Sequence, residues 1–571
     1  MDRFTPLVKT YDKAVTMKYI VCAVLLAALS ACGGGGGNSG VCSGSAQYCS
    51  EAAAASTAPP AANVVISADS VAQQCAAPRP AGSQDPFNKK FYGDVQGSLS
   101  TEKAWIKAFV NETYLWYDEV VSVDADLYTI GATVPYVEPA SNSRSLVTLV
   151  TNTDVVNAFF NSQRTTALTA GGKPKDQFHY TVATAEWTAL STAGSSVGFG
   201  FQVSLAVASP PRKALIAFSE PGSIAAANGL TRGVEFVSVN GVAVSNGSAA
   251  VINEGLFSPV AGQSYSFGVL DVGSSVTRTV MLTPATVTAV PVQNVRTLAA
   301  PYADVGYIQF NDHIATAESQ LIAAVNQLKA ANGGAGITDL VLDLRYNSGG
   351  FLDLASELAY MVAGSGKTAG KVFEKLSFND KNPFKLTDAN TATPFHAVTQ
   401  GFSTRAGEAL PQLGLPRVFV ITGANTCSAS EAIINGLRGA GVEVIQIGGT
   451  TCGKPYGFYP TDNCSVTYFA IQFKGVNQLG FGDYADGFIP GGTGALANNL
   501  PGCPVADDFT KPLGDITEGR LAAALKYRSS GSCGAAGTGV TVQTAAMLVP
   551  EPMLAGRSVL QQNRIYRPKA D

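Results

Sequence analysis

Leu340-Val341-Leu342-Asp343-Leu344-Arg345-Tyr346-Asn347-Ser348-Gly349-Gly350 is the stretch that decides the fold. A short run of apolar residues that closes on a polar, glycine-ended loop reads as a buried strand, and α/β sheets commonly assemble their sites at such carboxyl ends. The surrounding chain keeps the same alternation. Asp304 to Phe310 reads as a strand, Ala315 to Ala331 as a helix, Leu340 to Leu344 as a strand and Leu352 to Val362 as a helix; Val418 to Thr422, Ser428 to Arg438 and Val442 to Ile447 continue it. The pattern predicts an α/β core with helices packed on a sheet, over residues 288–528.

Working outward, the chain of 571 residues is too long for one ordinary domain. Hydrophobic residues make up 46% of it and charged residues only 14%, which excludes wholesale disorder. With 38 basic against 42 acidic residues there is no basic stripe of the kind that neutralises phosphates, so no nucleic-acid partner is expected. His179, His313 and His396 lie far apart and no CxxC or HExxH spacing occurs, so no metal site and no cofactor are expected.

Residues 1–32 read as a signal segment. Lys18, an apolar run from Ile20 to Leu29 and Leu29-Ser30-Ala31-Cys32 before five glycines resemble a bacterial lipoprotein signal, with Met17 as the start. That resemblance implies lipidation at Cys32 and a protein anchored in the cell envelope, facing the periplasm and expected at the outer membrane. Removing Cys22 and Cys32 from the ten cysteines leaves eight, an even number that suits an oxidising compartment. Residues 33–85, rich in Gly, Ala, Ser and Pro, read as a flexible linker. Residues 86–189, with Trp105, Ile106, Phe109, Val110 and Tyr114 at helical spacing, predict a small, mainly helical domain. Residues 529–571 return to small and polar composition and are expected to form an extended or loosely packed tail.

Residues 190–287 change to short alternating strands. Gly198-Phe199-Gly200-Phe201, Glu220-Pro221-Gly222-Ser223 and Val239-Asn240-Gly241-Val242 follow one another in an order that resembles a PDZ domain, a β-rich module. The resemblance makes Gly198, Phe199, Gly200 and Phe201 its carboxylate-binding loop, beside a strand edge that accepts a peptide.

Two loops carry the chemistry: Asp343 to Gly350, and Thr426-Cys427-Ser428-Ala429-Ser430-Glu431 with Gly453-Lys454 downstream. In order, they resemble the motifs of the carboxyl-terminal processing, or tail-specific, serine peptidases, in which a PDZ domain commonly precedes the catalytic core. The resemblance spans residues 190–500 and implies Ser428 as nucleophile, Lys454 as general base, and the N–H groups of Gly349 and Ala429 as the oxyanion hole. The chemistry is coherent, since a serine needs a neighbouring base and a lysine serves only when desolvation lowers its pKa. Against this, Ser-x-x-Glu at a helix start is also a capping box that needs no catalytic role.

Three features depart from the family pattern. The interval from Ser428 to Lys454 is one residue longer than the family usually shows, Pro455 follows the lysine, and Phe458 stands where the family has a glutamine that orients the amine. Gln472 is the candidate substitute. A disulfide between Cys427 and Cys452 could fix the two loops together, although pairing to Cys464 is equally open. The expected function is a serine endopeptidase with a Ser-Lys dyad, acting on polypeptides with unstructured or C-terminal segments. The alternatives are a catalytically impaired protein of the same fold that binds peptides or hydrophobic ligands, and a peptidase using His313 as base.

Overall fold

The computed structural model describes residues 66–85, 89–139, 141–207, 209–492 and 497–533, together with two strands of the tail, Met553–Ala555 and Arg564–Ile565. The signal segment, Cys32, Cys42 and Cys49 therefore lie outside the described residues. Among the described residues no helix is long and apolar enough to cross a membrane.

The architecture is mixed α/β with several sheets. The amino-terminal region contains the expected helix, α1 (Leu99–Thr113), which Ser98 caps by accepting the Thr101 N–H at 3.2 Å, and a second helix, α2 (Asn152–Ser162). Trp105, Phe109, Phe159 and Phe160 bury their rings between them. The region also carries strands: Thr133–Val137 and Arg144–Thr148 form an antiparallel hairpin, and Tyr180–Ala183 joins a small sheet. Of the stretch read as a linker, residues 66–85 are described, and they are tied to the body: Cys75 is bonded to Cys464, and Arg79 is paired with Asp94 and Asp462.

A seven-stranded sheet follows, built on β1 (Phe201–Val207), β2 (Lys213–Ser219), β3 (Glu235–Val239), β4 (Tyr265–Leu270) and β5 (Thr277–Leu282), in the order β5-β4-β3-β2-β1, with helix α3 (Ala249–Phe257) preceding β4. Phe201, Phe236 and Phe267 alternate into one core with Leu256 of α3, as period-2 strands with one buried face require.

The core sheet has six strands. These are β6 (Val292–Thr297), β7 (Val305–Phe310), β8 (Asp339–Asp343), β10 (Arg417–Thr422), β11 (Glu443–Gly448) and β13 (Gly502–Pro504), in that order, antiparallel between β6 and β7 and parallel elsewhere. Helix α4 (Ala317–Lys329) crosses from β7 to β8, and β9 (Gly350–Phe351) leads from the glycine loop into α5 (Leu352–Ala363). Helix α6 (Ala429–Gly439) links β10 to β11, β12 (Tyr456–Gly457) follows Lys454, and α7 (Gly519–Ser530) ends the core. Leu340, Leu342, Val418 and Val420 face α4, α5 and α6, whereas Val341, Phe419, Ile421 and Ile445 face α7. Both faces are covered, which is why these strands read as continuous apolar runs.

Beyond Cys533, the described part of the tail is two short extended strands. Cys503 is bonded to Cys533 just beyond α7, and further along the chain β14 (Met553–Ala555) and β15 (Arg564–Ile565) pair with strands of the body.

Candidate active site

β10 ends in a loop that turns back into α6, and Ser428 stands at the turn. Its φ of 62° and ψ of −116° are sparsely populated for a residue with a Cβ, at a cost of about 1–3 kcal/mol that the surroundings must sustain. The residue is fully buried, and its Oγ has no hydrogen-bond partner among the described residues. Ser430, the other hydroxyl of the cluster, donates to the Asn347 carbonyl oxygen at 3.0 Å.

One carboxylate joins this turn to the lysine loop. Glu431 Oε2 accepts the Ser428 N–H at 2.9 Å and the Lys454 N–H at 2.8 Å, and Oε1 accepts the Gly453 N–H at 2.9 Å and the Thr451 hydroxyl at 2.5 Å. Two nitrogens bonded to the same oxygen lie close together, so the backbones of Ser428 and Lys454 are neighbours. Burial pushes the Glu431 carboxyl up, against the four donors that pull it down. The Cys427–Cys452 disulfide, with Cα atoms 5.2 Å apart, is a second tie between the same loops. Cys427, Cys452 and Glu431 cluster closely enough to suggest metal ligands, but the sulfurs are bonded to each other and offer no thiolate.

Lys454 is fully buried. Its Nζ lies 4.0 Å from the ring centre of Phe178 and 4.5 Å from that of Phe458. Desolvation holds the ammonium pKa well below the usual lysine range, while Asp176 and Glu431 pull it back up. Asp176 is itself fixed by the Tyr114 hydroxyl at 2.6 Å and the Phe178 N–H at 2.9 Å, with His179 Nδ1 at 3.5 Å. Phe458 thus presents a ring to the amine where an amide was sought. Gln472 serves elsewhere, accepting the Tyr459 N–H at 2.6 Å and donating to Thr113 Oγ1 at 3.1 Å, so its amide braces the strand that follows the lysine loop against α1.

Gly349 packs directly on the serine turn. Its φ is 101°, and a Cβ there would stand 2.8 Å from Ser428 Cβ and 3.0 Å from the Ala429 nitrogen, so only glycine fits. Its N–H donates to Asn347 Oδ1 at 3.0 Å, and the same oxygen faces His313 Nδ1 at 2.9 Å. An oxygen that already accepts the Gly349 N–H assigns the imidazole proton to Nδ1. His313 Nε2 is then a bare, buried nitrogen, and burial lowers this imidazole's pKa to about 3. Behind the loop, the buried Arg345 guanidinium pairs with Asp343, Asp507 and Glu518, and Asp507 also pairs with Arg232 of the β-rich region.

Ser428, Ala429, Gly349 and Lys454 therefore share one buried cluster. Gly198, Phe199, Gly200 and Phe201 belong to the β-rich region: Phe199 and Phe201 fill its core, and Gly200, at φ 90°, turns against Ser223. Sequence reasoning missed the bridging role of Glu431 and the contributions of Phe178 and Asp176. For Glu431 the available signal was a carboxylate three residues after the serine, which a helix cap explained as well.

Residues 304–458 match the family model described as Peptidase family S41, a stretch that runs from the start of β7 to just beyond Lys454. No curated protein matches the chain in sequence. Among solved structures, a Bacteroides fragilis NCTC 9343 protein named as an S41 protease superposes with a TM-score of 0.53 at 22% identity, covering 78% of this chain and 99% of its own. At that identity the likeness speaks for the fold alone. A photosystem II D1 C-terminal processing protease also matches, at 18% identity and a TM-score of 0.39, over 70% of this chain and 93% of its own.

Proposed function

We propose that the chain is a serine peptidase that cleaves extended or unstructured polypeptide through a Ser428–Lys454 pair. The observation that carries this reading is one bridging carboxylate, Glu431, which tethers a strained serine to the loop of a desolvated lysine within a segment matching the S41 peptidases. In the proposed reaction the neutral Lys454 amine takes the Ser428 hydroxyl proton as Oγ bonds to the substrate carbonyl carbon. The tetrahedral intermediate then collapses with cleavage of the C–N bond, and Lys454 returns the proton to the leaving amine. Water, deprotonated by the same amine, releases the acyl group and regenerates Ser428. The Ala429 and Gly349 N–H groups are the proposed oxyanion donors, at the positive end of α6. Gly349 would first have to leave Asn347 Oδ1. His313 is the weaker base, because an imidazole whose pKa is near 3 holds a proton poorly.

The β-rich region is proposed to act as a PDZ-like peptide acceptor, and Cys32 as a lipid anchor in a bacterial envelope. Sucrose-gradient fractionation of Cys32→Ser should then lose membrane association; unchanged fractionation would remove the anchor. Phe458 in place of the orienting glutamine, together with the engaged Gly349 N–H, favours one second reading, a protein that binds peptides without cleaving them. Incubation with a permanently unfolded protein separates the two. Fragments should form with wild type and His313→Ala and vanish with Ser428→Ala and Lys454→Ala, whereas equal inertness of wild type and Ser428→Ala towards several unfolded substrates would favour the binder.

A further inference from the structure

We propose that the carboxyl-terminal tail of the chain is the resting occupant of its own peptide-accepting surfaces, so that substrate must displace it. The two described pieces of the tail both seat on such surfaces. β14 adds to the outer edge of the seven-stranded sheet, antiparallel to β1, with Met553 opposite Leu205, Leu554 opposite Ser204 and Ala555 opposite Val203. That edge directly follows the Gly198–Phe201 turn, and a free strand edge is what captures an extended peptide by main-chain bonding. The chain runs on past Ala555 to Asp571, so the edge is held by an internal stretch and not by a terminal carboxylate.

The second piece reaches the candidate site. β15 pairs in parallel with β9, Arg564 opposite Gly350 and Ile565 opposite Phe351, while His313 bridges to Gly350. β15 also lies against β12, the strand that follows Lys454. It thus contacts the segments that leave both loops, one immediately after Gly349 and the other two residues after Lys454. The Gly349 N–H, turned onto Asn347 Oδ1, is in keeping with a site at rest. A segment of the same chain competes intramolecularly, at an effective concentration that a separate peptide must exceed, so even weak strand pairing can close an edge. If the edge is open in about one molecule in ten, releasing the tail raises the apparent affinity for substrate about tenfold.

The inhibitory part of this proposal rests on the peptidase reading, whereas the occupancy does not, and the test separates them. In the full-length chain, Leu554→Pro with Ala555→Pro removes ladder donors from β14, and Arg564→Pro with Ile565→Pro does the same for β15. Hydrogen–deuterium exchange should show the amides of β1 exchanging at least about tenfold faster in the first variant and those of β9 faster in the second, with β8 unchanged as a reference for the intact core. Hydrolysis of an unfolded protein should rise in both, and a synthetic peptide of residues 551–571 should suppress that rise. Unchanged exchange at β1 and β9 overturns the occupancy. Faster exchange with Ser428-dependent hydrolysis at the wild-type rate overturns the inhibition. Faster exchange with no hydrolysis in any form sustains the occupancy and counts against the peptidase.

Discussion

Replacing Glu431 by glutamine changes one oxygen to an amide and should unfasten the two loops. Each orientation of the new NH2 group sets it against two of the present donors: Ser428 and Lys454 N–H on one side, Gly453 N–H and the Thr451 hydroxyl on the other. The second orientation is the cheaper, because the hydroxyl can rotate to accept, leaving one buried N–H unpaired at about 1–3 kcal/mol. The remaining bonds also fall from charge-assisted to neutral strength, a loss of about 1 kcal/mol each. With the Ser428 and Lys454 N–H bonds so weakened, the sum is about 3–5 kcal/mol, a large share of a domain's usual stability. Glu431→Asp is the informative companion: it keeps the charge but is about 1.5 Å too short to reach both loops. Urea unfolding should place both variants well below wild type. Labelling of Ser428 by a fluorophosphonate should slow at least about a hundredfold in each. Wild-type unfolding midpoints with wild-type labelling in Glu431→Gln would refute the bridge.

Two further outcomes follow from the same cluster. Lys454 must be neutral to accept a proton, so kcat/KM should rise with pH through a pKa below the usual lysine value. Asp176→Asn removes a charge that pulls that pKa up, and the rising limb should move to lower pH; a limb that stays in place in a folded variant would remove Asp176 from the site. Cys427→Ser with Cys452→Ser opens a loop spanning a separation of 25 residues, which should cost about 3 kcal/mol in urea unfolding and slow Ser428 labelling more than a surface control; labelling at the wild-type rate would leave the disulfide no part in holding the loops.

What was legible in the sequence has a physical pattern. Val418 to Thr422 and Leu340 to Leu344 were readable because both faces of the core sheet are covered, so burial writes itself into consecutive residues. The serine and lysine loops were readable because each follows such a strand. Glu431 was hidden because a local cap explains a carboxylate three residues into a helix, while its other partners, Thr451, Gly453 and Lys454, arrive only after a helix and a strand. Phe178 was hidden for a stronger version of the same reason: it comes from the amino-terminal region, and no periodicity connects it to Lys454. The hairpin of Thr133–Val137 and Arg144–Thr148 was missed because its exposed residues leave no run of apolar positions for a pattern to follow.

The replacement of an amide by Phe458 bears on how such a site could work. An amide near an amine offers a directional bond that favours one rotamer at the expense of some solvation of the charged form. Two rings at 4.0 and 4.5 Å do something different: they exclude water, and their faces attract a cation only weakly compared with water itself. The net effect of such walls is to favour the neutral amine, the form that accepts a proton. The lysine's backbone is fixed at Lys454 N–H by Glu431 and two residues earlier by the Cys452 disulfide. A carboxylate beneath the lysine thus holds its backbone while two rings line its amine, and the position where a glutamine was sought holds one of those rings.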